Sequence, residues 1–242
     1  MRSIIILVAI FIVVGCNNKD KISIKEGEKQ SGEIVRETNE KAGEVNEVIS
    51  EEEKPNGIRD LQFDVQIPKN IKYKGIHQIS ASWKDNNGNN LIFITLTDEF
   101  PTPNSNGEDF RDKELYAYHY LMNDGESKLL WRVTDFIREC PVDIRLDYFP
   151  RSLSVTDLDD NGIAETAFMY ALSCKGDVSP DDVKLIMHEG KTKYAIRGSN
   201  VVSQPEAVSE YEGLMNVDPS FNSAPDEFLV HAKKLWNRFR DL

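Results

Sequence analysis

The sequence predicts an α+β fold that is mainly antiparallel β, with hairpins and a C-terminal amphipathic helix packed on the sheet. Two observations predict this fold. Several segments alternate apolar and polar residues with the period of a strand, and residues typical of turns separate them. A helical apolar stripe is strong only near the C-terminus. The chain also lacks a repeat of fixed period, which argues against a propeller.

Most of the predicted strands pair as hairpins. The predicted strands are 61–67, 76–83, 91–99, 115–122, 128–137, 152–157, 166–174, 183–190 and 191–198. Turn residues at 85–88, 123–125 and 189–190 close three hairpins. Residues 100–110 are rich in Pro, Asn and Gly and are predicted to form a loop, whereas 179–182 resembles the first turn of a short helix.

The segment 224–242 predicts the C-terminal helix. Pro225, Asp226 and Glu227 suit a helix N-terminus, because proline fixes φ and acidic side chains favour the positive end of the helix dipole. An apolar stripe follows at helical spacing, formed by Phe228, Leu229, Ala232, Leu235, Trp236 and Phe239. The stripe predicts packing on the sheet, and the alternative is a helix that binds a partner groove.

Composition divides the 242 residues into three parts. Residues 1–15 form an apolar leader, and residues 58–242 are enough for one β-rich domain with a substantial core. Residues 16–57 lack aromatic side chains and are rich in Glu, Lys, Asn and Gly. This acidic segment has too little apolar surface to offset the entropy of ordering, so a disordered tether is predicted.

The leader resembles the signal peptide of a bacterial lipoprotein. Arg2 precedes an apolar run, residues 4–14, that is shorter than the roughly 20 residues of a membrane helix. The run ends in Val13-Val14-Gly15-Cys16, which is similar to the lipobox of lipoprotein precursors. The resemblance implies that Cys16 carries a diacylglycerol and an amide-linked acyl chain such as palmitate. The protein would then be anchored by lipid in the bacterial cell envelope, facing the periplasm or the cell surface. The alternative is a simple membrane anchor.

Two cysteines, Cys140 and Cys174, remain if Cys16 is lipidated. An even pair in an exported protein favours one disulfide bond, and the alternative is two separate buried thiols. The bond would close a loop of about 35 residues and stabilise the fold by about 3–4 kcal/mol. Neither cysteine lies in a Cys-x-x-Cys motif, so redox catalysis and zinc binding have no support in the sequence.

The stretch 156–166, TDLDDNGIAET, indicates a bound ion. Its opening matches the first half of an EF-hand loop, but position 12 of that loop would be Phe168, which cannot bind calcium. Predicted strands flank the stretch, so a carboxylate at position 9, Glu165, can fold back instead. The pattern Asp-x-Asp-x-Asn-Gly-x-x-Glu resembles the short calcium loops of FG-GAP blades.

That resemblance implies a structural Ca²⁺ ion. Its ligands would be the side chains of Asp157, Asp159, Asn161 and Glu165 and the backbone carbonyl of Ile163. Gly162 would supply the positive φ of the turn. A dissociation constant on the order of 10⁻⁴–10⁻³ M would suffice outside the cytoplasm. The alternative is a charged hairpin turn without an ion.

Charge and motifs limit the other functions. The net charge of −12 argues against binding of nucleic acid or of anionic lipid by charge. The chain has no G-x-S-x-G, H-E-x-x-H or P-loop motif, and no catalytic residue is assigned. A second acidic turn around Asp177, Asp181 and Asp182 would form an acidic cleft if it met the loop at 157–160.

One strand, 115–122, carries candidate ligand-binding residues. Tyr116, Tyr118 and Tyr120 share one face, where aromatic rings with polar tips suit a carbohydrate or another ligand. The alternative is that these tyrosines cap a core. His119 is a further candidate, although it falls on the opposite face and is expected to be a semi-buried histidine with its hydrogen bonds satisfied; the alternative is a catalytic base.

Several stretches together resemble a family of exported proteins of Bacteroidota-type bacteria that is labelled "surface polysaccharide biosynthesis protein". The matching stretches are Trp83-Lys-Asp, Gly88-Asn-Asn-Leu, Ala117-Tyr-His-Tyr, Thr156-Asp-Leu-Asp-x-Asn-Gly-Ile-Ala-Glu, Cys174-Lys-Gly-Asp-Val-Ser-Pro, Lys184-Leu-Ile-Met-x-Glu-Gly and Lys193-Tyr-Ala-Ile-Arg-Gly. The resemblance implies a role in the cell envelope and brings no catalytic residue. We therefore expect a non-enzymatic binding or accessory module with glycans or envelope proteins as partners. The alternative is a hydrolase or transferase that acts on surface glycans through an acidic cleft.

Overall fold

The computed structural model describes residues 57–103, 109–123, 125–201 and 213–240. Within these residues the chain forms two antiparallel six-stranded sheets and a C-terminal helix, so the predicted fold class is confirmed. The leader, Cys16 and the tether as far as residue 56 lie outside the described residues, and lipidation stays a prediction. No helix in the described part of the chain is long and apolar enough to cross a membrane.

The first sheet contains the N-terminal half of the domain. Its strands are β1 (Arg59–Phe63), β2 (Ile76–Asp85), β3 (Gly88–Leu96), β4 (Phe100–Pro101), β5 (Arg111–Asn123) and β6 (Glu126–Cys140). β1, β2, β3, β5 and β6 lie side by side in that order, and the short β4 pairs with the start of β5. The two hairpins predicted here, β2–β3 and β5–β6, are both present.

The second sheet contains the C-terminal half. Its strands are β7 (Ile144–Tyr148), β8 (Ser154–Thr156), β9 (Glu165–Cys174), β10 (Asp182–Glu189), β11 (Thr192–Ser199) and β12 (Met215–Val217). β9, β10, β11 and β12 are neighbours in sequence order, while β7 and β8 pair with different halves of β9. A 3₁₀ turn (Pro219–Ser223) and the helix α1 (Asp226–Phe239) follow.

Three apolar layers hold these elements together. The sheets pack face to face, with side chains such as Trp83, Ile94, Leu115, Phe168 and Tyr170 between them. The helix covers the outer face of the second sheet with Phe228, Ala232, Leu235, Trp236 and Phe239, as the stripe predicted. Both faces of β9 are therefore buried, which explains why its sequence is almost wholly apolar.

The third layer lies on the outer face of the first sheet. Residues 64–75, which we call the strap, cross this face without regular structure. Ile71 of the strap is buried against Phe93, Tyr116 and Tyr118. The hydroxyl of Thr95 donates to the carbonyl of Lys74 at 2.6 Å, so the strap is also held to the sheet by hydrogen bonds.

Some local predictions were wrong. The strand predicted at 61–67 ends at Phe63, because Asp64 adopts a positive φ of 56° and turns the chain into the strap. The helical turn predicted at 179–182 does not form. Instead, the carboxylate of Asp177 accepts hydrogen bonds from the N–H and hydroxyl of Ser179, and β10 begins at Asp182.

The disulfide bond between Cys140 and Cys174 is confirmed, with 5.8 Å between the two Cα atoms. Cys140 ends β6 in the first sheet, and Cys174 ends β9 in the second. The bond therefore joins the two sheets at one end of the sandwich.

Candidate functional site

The acidic stretch forms the hairpin connection between β8 and β9. Thr156 and Glu165 are paired across this hairpin, so Asp157 and Glu165 lie next to each other at the strand ends. Carboxylate oxygens of Asp157, Asp159 and Glu165 lie within 4.8 Å of one another. We call these residues the acidic triad, and they can hold a metal ion.

Two carboxylate oxygens of the triad are buried without a hydrogen-bond partner. One oxygen of Glu165 accepts hydrogen bonds from the Leu158 N–H and the Thr156 hydroxyl, but Oε1 has none. One oxygen of Asp157 accepts from the Gly162 N–H at 3.1 Å, while Oδ1 has none. A buried anionic oxygen without a partner is costly, and a cation between these atoms would remove the cost.

Burial raises the pKa of two carboxyl groups of the triad, Glu165 and Asp157. Burial, together with the charges of Asp159 and Glu189, raises the pKa of Glu165 to about 8 against the hydrogen bonds from Leu158 and Thr156. Burial also raises the pKa of Asp157, again with a contribution from Asp159. Three acids this close repel one another, and a bound cation would remove that repulsion.

The other predicted ligands shape the turn. The Asn161 side-chain oxygen accepts a hydrogen bond from the Ile163 N–H at 2.7 Å. Its amide nitrogen donates to Asp159 at 3.0 Å and to Glu189 at 2.5 Å. Glu189 pairs with Glu165 across β10 and β9, and spacing along the loop gave no sign of it. Glu189 lies on β10, and its position beside the loop becomes visible only when the pairing of β10 with β9 is known.

The acidic stretch also holds the two sheets together. The Asn86 N–H in the β2–β3 turn donates to the Gly162 carbonyl at 2.8 Å, and the Ala164 N–H donates to Asp85 at 3.1 Å. The predicted positive φ of Gly162 is confirmed at 78°, and a Cβ there would lie 2.1 Å from the Asn86 amide. This connection lies at the opposite end of β9 from the disulfide bond.

The predicted acidic cleft does not form. The second acidic turn follows Cys174 at the far end of β9, and ten strand residues separate it from Glu165 by roughly 30 Å. Asp181 in that turn is paired with the side chains of Arg145 and Lys175. The two acidic turns therefore cannot act on one substrate as a pair.

The candidate ligand-binding strand presents its residues to two different places. Tyr116 and Tyr118 lie on the outer face of the first sheet but are mostly covered by the strap, and Tyr120 is half-buried. His119 lies on the inner face, where its Nε2 is 2.9 Å from the Asn90 side-chain oxygen. His119 is therefore not part of any surface formed by the tyrosines.

Beside the strap, the outer face of the first sheet forms an open groove of about 460 Å³. Its lining residues are Lys72, Tyr73, Lys74, Glu114, Tyr116, Tyr118, Tyr120, Leu129, Arg132, Thr134, Phe136 and Arg138. Tyr73, Leu129 and Phe136 are exposed by 41%, 44% and 49%, which is high for large apolar side chains. Sequence patterns missed most of this groove, because the strap and β6 meet only in the folded chain.

One carboxylate, Glu114, lies among the described residues that line the groove. It is paired with Arg138 and accepts a hydrogen bond from the Tyr116 hydroxyl. Although burial opposes the change, these hydrogen bonds lower the pKa of Glu114. Burial and the neighbouring carboxylate raise the pKa of Tyr116 to about 12. Glu114 is thus a paired anion and not a free general acid or base.

Two histidines distant in sequence meet between the sheets at Trp131. The His188 ring stacks on the indole with 4.1 Å between ring centroids, and the His119 ring lies 5.3 Å from it. Burial lowers the pKa of His119 to about 4 and that of His188 to about 3. Both are therefore neutral core residues at neutral pH.

Comparison with known proteins gives no relative. No family model matches the chain, and neither a curated protein nor a solved structure matches it.

Proposed function

We propose that this chain is a non-enzymatic binding module of the bacterial cell envelope that holds a glycan in the groove beside the strap. The observation that carries the proposal is the exposed aromatic pair Tyr73 and Phe136 on one concave surface. Aromatic faces provide stacking area for sugar rings, and the surrounding polar tips provide hydrogen bonds. A groove of this size suits a few sugar units of a longer chain.

The groove favours binding over hydrolysis. Glycoside hydrolases need two carboxyl groups that flank the scissile bond. The described residues of the groove supply Glu114 alone, and Arg138 and Tyr116 already occupy it. An accessory role in the production of surface polysaccharide fits a protein that holds such a polymer without cutting it.

The location in the envelope rests on the leader. The lipobox-like Val13-Val14-Gly15-Cys16 and the acidic segment behind it suit a lipid anchor and a spacer. The disulfide bond between Cys140 and Cys174 is compatible with an oxidising compartment. An anchored module of this kind would hold the polymer close to the membrane.

We further propose that the acidic triad binds Ca²⁺ with a structural role. All its donors are oxygens, which hard cations prefer, and the pattern Asp-x-Asp-x-Asn-Gly-x-x-Glu that contains them resembles a short calcium loop. Because the loop is bonded to the β2–β3 turn, the ion would stabilise the joint between the sheets. We assign it no catalytic step.

The test of the proposal is glycan binding by the full chain, purified in detergent. We expect binding to members of a panel of bacterial surface polysaccharides, with no release of sugar from them. Phe136→Ser should weaken binding at least fivefold, because it removes an exposed aromatic face. The control is Val178→Ser, at a residue that is 69% exposed and lies outside the groove. Absence of binding to every polysaccharide, or equal binding by Phe136→Ser, would reject the proposal.

A further inference from the structure

The groove carries positive charge on an acidic protein. Four cations, Lys72, Lys74, Arg132 and Arg138, line it together with one anion, Glu114, so its net formal charge is +3. The whole chain has a net charge of −12. A cluster of positive charge in one groove of an acidic protein favours an anionic ligand.

Two of the four cationic side chains in the groove already have an interaction partner. Arg138 is paired with Glu114, and Lys74 lies 5.8 Å from the centre of the Tyr116 ring. Lys72 and Arg132 are exposed and have no ion-pair partner among the described residues. These two side chains are therefore available to a ligand.

The free arginine lies in the middle of the groove. Arg132 pairs in register with Tyr118, and Thr134 and Phe136 follow it on the same face of β6. Arg132 and Phe136 are four residues apart, or about 13 Å along the strand. An extended chain that follows β6 would meet a guanidinium fork, a hydroxyl and an aromatic face in that order. Such a fork binds a carboxylate with two parallel hydrogen bonds.

From these contacts we infer that the ligand of the groove is an acidic polysaccharide that carries carboxylate groups, such as a polyuronate. The inference rests on the proposed glycan-binding function and names the class of glycan. Arg132 and Lys72 bind the carboxylates, while Phe136 and Tyr73 stack on the sugar rings.

Other anionic ligands fit the groove less well. An extended acidic peptide that added a strand would pair its backbone with the edge of β6, whereas the groove lies on the face of the sheet and presents side chains. An anionic membrane is a broad surface that the net charge of −12 opposes. A polyuronate needs neither backbone pairing nor a flat contact.

The test uses the full chain in nanodiscs of phosphatidylcholine. Its binding to polygalacturonate is measured by calorimetry and compared with binding to neutral dextran of the same length, to polyglutamate and to vesicles of phosphatidylglycerol. We expect polygalacturonate to bind at least tenfold more tightly than the other three probes. Binding should weaken as salt is raised, because part of it is electrostatic.

Arg132→Gln should weaken the binding of polygalacturonate about tenfold, since a charge-assisted pair is lost. The matched control is Arg197→Gln, which removes an exposed charge on β11 and should leave binding unchanged. Equal binding of dextran, still sensitive to Phe136→Ser, would overturn the inference and leave the proposed glycan-binding function intact. Tighter binding of polyglutamate or of the vesicles would overturn the choice of a glycan. Absence of binding to any polysaccharide would overturn both.

Discussion

The replacement Glu165→Gln separates two properties of the acidic triad, which are the cost of a buried carboxyl group with an unsatisfied oxygen and the proposed binding of calcium. The change keeps the size of the side chain and removes its charge. The amide oxygen can still accept the hydrogen bonds from Leu158 and Thr156. Its NH₂ group can donate to the unpartnered Oδ1 of Asp157. We expect Glu165→Gln to stabilise the metal-free protein and to abolish its stabilisation by calcium.

The size of the effect follows from mass action. A Ca²⁺ concentration of about 10 mM exceeds a dissociation constant of about 10⁻⁴–10⁻³ M by 10- to 100-fold. Binding to the folded state alone then stabilises it by about 1.4–2.7 kcal/mol. For a domain of this size the melting temperature rises by roughly 3–10 °C. In chelator, Glu165→Gln should melt at or above the temperature of the unchanged protein, because a buried carboxyl group with an unsatisfied oxygen has been replaced by an amide that can donate to Asp157.

The assay is thermal melting followed by circular dichroism, in 10 mM CaCl₂ and in EGTA, about 0.15 M salt being present throughout. Asp182→Asn is the matched control, since it removes one negative charge from an exposed residue at the far end of the same sheet. The control should keep the full calcium shift. An unchanged melting temperature of the unsubstituted protein in calcium and EGTA would refute calcium binding. A full shift that persists in Glu165→Gln would refute the role of the triad.

Three further predictions concern the stability of the sandwich. Burial lowers the pKa of His188 to about 3 and that of His119 to about 4, so the folded state binds these protons less readily than the unfolded state. Each histidine should lower the free energy of unfolding by about 2 kcal/mol between pH 7.5 and 5, or about 4 kcal/mol together. Urea unfolding in the Glu165→Gln background tests this, because that background lacks the opposite pH dependence of the carboxyl, and His188→Phe should roughly halve the pH dependence because His119 remains. Joint replacement of Cys140 and Cys174 by Ser should lower the free energy of unfolding by about 3–4 kcal/mol, and equal urea midpoints would contradict the stabilising role of the bond. Trp236→Ala should cost about 3–5 kcal/mol because the side chain is fully buried between α1 and the second sheet, whereas an alanine at an exposed position of the helix should cost less than about 0.5 kcal/mol.

The parts of the structure that could be predicted from sequence are those that depend on residues close to one another along the chain. Alternation predicted a strand at 166–174, and β9 spans Glu165–Cys174 with Phe168 and Tyr170 toward the first sheet and Met169 toward the helix. The acidic triad could be predicted for the same reason, because the β8–β9 hairpin brings Asp157 beside Glu165 within a few residues. A local pattern determines a local geometry.

The parts that sequence could not supply depend on contacts between distant segments. Periodicity placed Tyr116 and Tyr118 on one face, but it could not show that the strap, some forty residues earlier, covers them. The contacts of His119 and His188 with Trp131 could not be predicted either, because the three residues are on three different strands. Alternation gives the face of a strand and not what packs against that face.

The groove depends on the same connections that hold the sheets together. Its outer wall is β6, an edge strand that pairs with β5 on one side only among the described strands. Asp135, on the inner face of β6, accepts a hydrogen bond from the Tyr170 hydroxyl at 2.7 Å and pairs with Lys184 at 2.5 Å. At the end of the same strand, Cys140 is bonded to β9. These connections hold the strand on both sides of Phe136 and Arg138. An edge strand held in this way loses less conformational entropy when a ligand binds to its outer face. We therefore expect the disulfide bond to contribute to affinity as well as to stability.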